Sequence, residues 1–96
     1  MVIEMRWDGV TPDQYDKIRE EVGWESDVAD GSIFHVAWFE DDALRVLDVW
    51  ESAEDYQAFI DARLMAGVGK VGMAGEPAVT VHPAHRVFDA AHGDTR

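Results

Sequence analysis

Two apolar runs face each other across a short acidic break: residues 32–40 (SIFHVAWFE) and 43–51 (ALRVLDVWE) flank Asp41 and Asp42. Side chains alternate along a strand, and a two-residue turn at Asp41-Asp42 makes a hairpin of the two runs. That register sets Ile33 opposite Trp50, His35 opposite Asp48, Ala37 opposite Val46 and Phe39 opposite Leu44. The other face carries Phe34 with Val49, Val36 with Leu47 and Trp38 with Arg45. Both faces are mostly apolar. A hairpin wet on one side alternates apolar with polar residues, so this one is expected to be covered on both sides.

The flanking segments supply one cover. Residues 2–7 alternate as a first strand with Ile3, Met5 and Trp7 on one face, ended by Asp8 and Gly9. Thr11 is placed as a helix cap, with Pro12 at the first helical position and Gln14 completing a capping box. Tyr15, Ile18 and Val22 form the apolar stripe, and Gly23 is the stop. After an acidic loop from Trp24 to Gly31 and the hairpin, Ser52 caps a second helix. Its stripe is Tyr56, Phe59, Ile60 and Leu64, continued by Val68 and Val71, with Gly67, Gly69 and Gly72 predicting fraying or a break before Gly75. Residues 78–82 read as a last strand, interrupted by Pro83, with a short extended piece at 86–88. The predicted order is βαββαβ. It implies one α+β, ferredoxin-like domain over residues 1–89 with an antiparallel sheet, and a flexible tail at 90–96. Two helices cover one sheet face, so the other apolar face predicts a homodimer formed through it.

Composition narrows the partners. The 96 residues carry a formal charge of -12, which opposes binding to nucleic acid or to an anionic membrane surface. No run approaches the roughly 20 apolar residues of a membrane span, and the first residues do not read as a secretory signal. The absence of cysteine removes disulfides, thiolate metal sites and a cysteine nucleophile, and points to the cytoplasm.

The segment from Val49 to Phe59, VWESAEDYQAF, resembles the strand-to-helix signature of the antibiotic-biosynthesis-monooxygenase-like branch of the dimeric alpha+beta barrel proteins. The likeness in element order covers the whole chain. It implies a homodimer whose two sheets enclose a small apolar cavity in each subunit, suited to an aromatic or polyketide-like molecule. Known chemistries of such proteins run from cofactor-independent oxygenation to haem degradation. The haem-degrading pattern needs an Asn on the first strand and a Trp and a His on the second helix. Phe59 and Gly69 stand at the matching helix positions here and the chain has no asparagine, so that pattern is absent and no cofactor is expected.

His35 with Asp48 is the sharpest candidate for chemistry. A carboxylate bonded to one imidazole nitrogen fixes the tautomer and raises the basicity of the other, which makes a general base near neutral pH. The same pair also reads as a self-satisfied polar couple in a sheet. Trp50, Ile33 and Phe39 share the His35 face as candidate walls for a substrate. His82 and Arg86 are further substrate-binding candidates: His82 reads first as a surface or interface histidine, and Arg86, a candidate for an anionic substrate at the cavity mouth, reads first as a bridge between subunits. The spacing of His82 and His85 does not suit a metal site, and none is expected. Gly67, Gly69 and Gly72 partly match a phosphate-binding glycine motif, but they follow a helix rather than a strand. Two functions remain open: a small homodimeric barrel performing cofactor-free monooxygenation, or a related cyclase or isomerase step, and a non-catalytic barrel that binds a small apolar ligand or has a structural or stress-related role.

Overall fold

Asp41 and Asp42 both adopt left-handed backbone, with φ of 53° and 58°, as the central pair of a type I′ hairpin turn requires. The computed structural model describes residues 1–95, the last two by backbone alone. Strands β2 (Ser32–Glu40) and β3 (Ala43–Trp50) pair as the sequence predicts from Phe34 with Val49 to Phe39 with Leu44, His35 with Asp48 included. One pair is corrected. The register shifts between Ser32 and Phe34, so Ile33 lies in an irregular step and Ser32 takes the place opposite Trp50.

Strand β1 (Val2–Asp8) lies beside β3, and β4 (Ala78–His82) lies beside β1, both antiparallel, in the order β2-β3-β1-β4. The helices interposed in the chain are α1 (Pro12–Val22) and a longer second helix. This is the predicted ferredoxin-like architecture. In α1 the capping box forms as read: the Gln14 backbone N–H donates to Thr11 Oγ1 at 3.2 Å, and the Thr11 N–H donates to Gln14 Oε1 at 3.1 Å. Gly23 closes it in the left-handed conformation, φ 70°.

The second helix runs unbroken through Gly67 and Gly69 and breaks at Gly72, before Gly75 as the glycines predict. It runs as α2 (Ala53–Phe59), a π-helical segment Ile60–Leu64, and α3 (Met65–Val71), stopping at the left-handed Gly72. Gly67 lets α3 approach α1 closely, since a Cβ there would stand 2.6 Å from Val22 Cγ2 and 2.9 Å from Ile18 Cδ1. The chain beyond the helix is tied back by the Trp7 indole N–H, which donates to the Ala74 carbonyl at 2.9 Å.

The helices cover the face that carries Ile3, Trp7, Leu44, Val46 and Trp50, all buried. The opposite face presents Phe34, Val36 and Trp38, each more than a third exposed, beside half-buried Leu47 and Val49. Edge strand β4 is exposed throughout. Beyond it, β5 (Phe88–Asp89), at the end of the predicted extended piece, pairs in a short ribbon with β6 (Asp94–Thr95), which lies in the stretch the pattern reads as a tail. The tail's final residue, Arg96, lies outside the described residues. Among the described residues no helix is long and apolar enough to cross a membrane.

Candidate functional site

His35 and Asp48 emerge from neighbouring strands onto the helix-covered face, because both belong to the set that alternates with Val36 and Leu47. The cavity they line is therefore enclosed by the sheet and helices of one chain. It is not a space between two sheets, as the resemblance implies. Its walls are apolar: Ile3, Leu44 and Val46 on the sheet side, Ile18, Phe59 and Leu64 on the helix side.

A chain of hydrogen bonds crosses this apolar space. His35 Nδ1 lies 2.6 Å from Asp48 Oδ1, and Trp50 Nε1–H donates to Asp48 Oδ2 at 3.2 Å. Tyr15, from the sheet-facing stripe of α1, brings its Oη to 2.8 Å from His35 Nε2, with the two rings parallel to within 1°. The carboxylate accepts only, so a neutral His35 carries its proton on Nδ1 and takes the Tyr15 O–H at Nε2. Burial, with Glu25 next in effect, pushes the Tyr15 hydroxyl above the ordinary tyrosine range, so it keeps its proton at neutral pH and donates it. Tyr56, also in the wall, is pushed up to about 12 by burial and by the negative charge of Asp48. The His35 side chain is 29% exposed and that of Asp48 14%, so the imidazole is the better reached of the two.

The remaining sequence candidates divide. Trp50 lines the cavity and is 3% exposed, packed against Tyr56 and Phe59. Ile33 does not line it: the irregular step at the start of β2 puts Ser32 there instead. Phe39 shares the His35 face but sits one strand end away, with its ring edge-on to Tyr15 at 6.5 Å, and it lines an outer groove by the hairpin turn. His82 is on the opposite sheet face, paired with Val2 and 3.6 Å from Glu4. Arg86 follows β4 and is exposed, away from the cavity wall. Strand alternation decides the place of His82.

Tyr15 and Tyr56, which the sequence places on helix stripes, and Trp24, which it places at the start of the acidic loop, also stand in the cavity wall. The apolar stripe of α1 signals that Tyr15 faces the sheet, but nothing in the spacing ties it to a histidine twenty residues on. Among the described residues, no group of three or more His, Asp or Glu side chains could hold a metal ion.

Solved structures share this fold. A candidate antibiotic biosynthesis monooxygenase from Chloroflexus aurantiacus superposes with a TM-score of 0.53 at 17% identity, over 88% of this chain and 95% of that one. SnoaB, a cofactor-independent oxygenase from Streptomyces nogalater, gives 0.57 at 10% identity, over 86% and 91%. A further candidate antibiotic biosynthesis monooxygenase, from Nitrosomonas europaea, gives 0.58 at 14% identity, over 88% and 99%. The chain thus has the fold of the antibiotic-biosynthesis-monooxygenase-like dimeric alpha+beta barrels. No protein-family model matches the sequence, and no curated protein matches it.

Proposed function

We propose that the protein is a small enzyme that removes a proton from an aromatic or enolic molecule, in the manner of a cofactor-independent monooxygenase or a related cyclase or isomerase. The observation that supports it is the Tyr15–His35–Asp48 chain set in an apolar cavity, since a base in such a wall acts on a substrate shielded from water. Tyr15 takes the substrate proton on its oxygen while its own proton passes to His35 Nε2, and Asp48 stabilises the resulting imidazolium. The anion left behind is electron-rich. In the oxygenase case dioxygen is the oxidant of a CH2 carbon of the substrate: that carbon loses both hydrogens and becomes a carbonyl with one oxygen, and the other oxygen leaves as water with those two hydrogens.

Tyr15 extends the pair predicted from the hairpin. It occupies the imidazole nitrogen that a substrate would otherwise meet, so His35 reaches the substrate through it. His35→Ala and Tyr15→Phe are each expected to abolish turnover of small phenols or enols with the circular dichroism spectrum unchanged. Retained turnover in either variant removes that residue from the chemistry.

One observation favours the non-catalytic reading. The cavity measures about 70 Å³, roughly half the 150 Å³ that holds a benzene molecule in a protein interior, and both His35 nitrogens are bonded to the protein. On that reading His35→Ala costs about 1–3 kcal/mol of stability, for leaving Asp48 without its partner, and no turnover exists to lose. A homodimer through the open sheet face belongs to both readings.

A further inference from the structure

Trp24 stands in the wall of the same cavity, on the loop after α1, with its ring centroid 5.4 Å from that of His35 and 6.0 Å from that of Tyr15. Its Nε1–H is buried and has no hydrogen-bond partner among the described residues. Two other indoles of the chain, by contrast, are satisfied: Trp7 by the Ala74 carbonyl and Trp50 by Asp48. Buried donors in folded proteins are rarely left without an acceptor of some kind. Two acceptors in the same wall are already committed, with the Asp48 carboxylate shared between His35 and Trp50, and His35 Nε2 bonded to Tyr15. No protein acceptor among the described residues meets the Trp24 N–H, and a ligand oxygen in the cavity would supply one.

We propose that Trp24 is a specificity-determining residue of this cavity, its indole N–H binding the oxygen of a carbonyl or enolate group on a ligand held against Tyr15 and His35. The inference rests on reading the cavity as the reaction site and narrows the substrate class. The substrate presents an acceptor oxygen as well as the acidic O–H or C–H. As the proton departs towards Tyr15, negative charge spreads onto that oxygen, and an N–H fixed in an apolar wall stabilises it where water does not compete. A hydrocarbon of the same shape fills the walls and leaves the donor unmet.

The test is an indole N–H nuclear magnetic resonance titration of the 96-residue chain with acetone and with 2-methylpropene, which matches its shape but lacks the oxygen, both small enough for a cavity of about 70 Å³. The Trp24 signal is the one lost in Trp24→Phe. The ketone is expected to move that signal downfield and the alkene to leave it in place, while Trp24→Phe weakens ketone binding by about 2- to 12-fold and alkene binding not at all. The proposal is overturned if both probes shift the signal alike, if the ketone leaves it unmoved because water already bonds the N–H, or if Trp24→Phe binds the ketone as the wild type does. Failure of the base chemistry shows separately, as turnover retained in His35→Ala, and leaves the Trp24 signal free to report on the ligand.

Discussion

Asp48 illustrates how one side chain's value depends on its partners. It accepts from His35 and from Trp50, so Asp48→Asn keeps the size but replaces one acceptor oxygen with an NH2 donor. That donor then meets either the His35 Nδ1–H or the Trp50 N–H. The variant is expected to lose about 1–3 kcal/mol in urea unfolding, while Asp27→Asn, on an exposed side chain, changes stability by less than about 0.5 kcal/mol. Tyr56 supplies a pH signature. Its hydroxyl is pushed up to about 12 in the folded protein, against about 10 when unfolded. The folded state thus holds a proton that the unfolded chain gives up, and this contribution is complete below about pH 10 and lost as pH rises through about 12. Tyrosinate absorbance is expected to appear only well above pH 10 in the native protein, and Tyr56→Phe to flatten the alkaline fall in stability. The His35–Asp48 pairing was legible from alternation and turn length alone. Tyr15 and Trp24 were not, because a residue on a helix or loop reaches a strand partner only through packing that no local period encodes.

At the scale of elements, two glycines of one helix act in opposite senses. Gly67 faces α1, where an added methyl meets Val22 and Ile18, whereas a Cβ on Gly69 meets nothing within 4 Å. Gly69→Ala is expected to raise stability by about 1 kcal/mol through helix propensity. Gly67→Val is expected to lower it by about 1–3 kcal/mol through overpacking, with both differences read from thermal or urea unfolding. The sequence treats the two alike, as weakening the helix before a break ahead of Gly75. The helix persists because the close α1–α3 contact repays the poor propensity, and a π-helical segment at Ile60–Leu64 re-aims the stripe so that Phe59, Ile60 and Leu64 all line the cavity. The hairpin turn offers a stabilising change: Asp41→Asn with Asp42→Gly suits two left-handed residues better, and is expected to add about 0.5–1 kcal/mol.

The whole molecule leaves Phe34, Val36 and Trp38 exposed on the sheet face away from the helices, beside Leu47 and Val49. If two copies meet there, as proposed, Val36→Asp is expected to yield a monomer by sedimentation that still binds a cavity ligand, because the cavity lies on the other side of the sheet. Added salt is expected to tighten the wild-type association, since each copy carries a formal charge of -12. The order of elements, both caps of α1, the type I′ hairpin, the His35–Asp48 register and an apolar face beyond the helices' reach were determined by the sequence alone, through short-range rules of period, capping and turn length. Which hairpin face the helices cover was decided only in three dimensions, and so were the irregular step that exchanges Ile33 for Ser32, the placing of His82 and Arg86 outside the cavity, and the meeting of Tyr15 and Trp24 with His35. These depend on how helices of a given length and bend settle on a twisted sheet, and that is a property of the packed whole rather than of any stretch of chain.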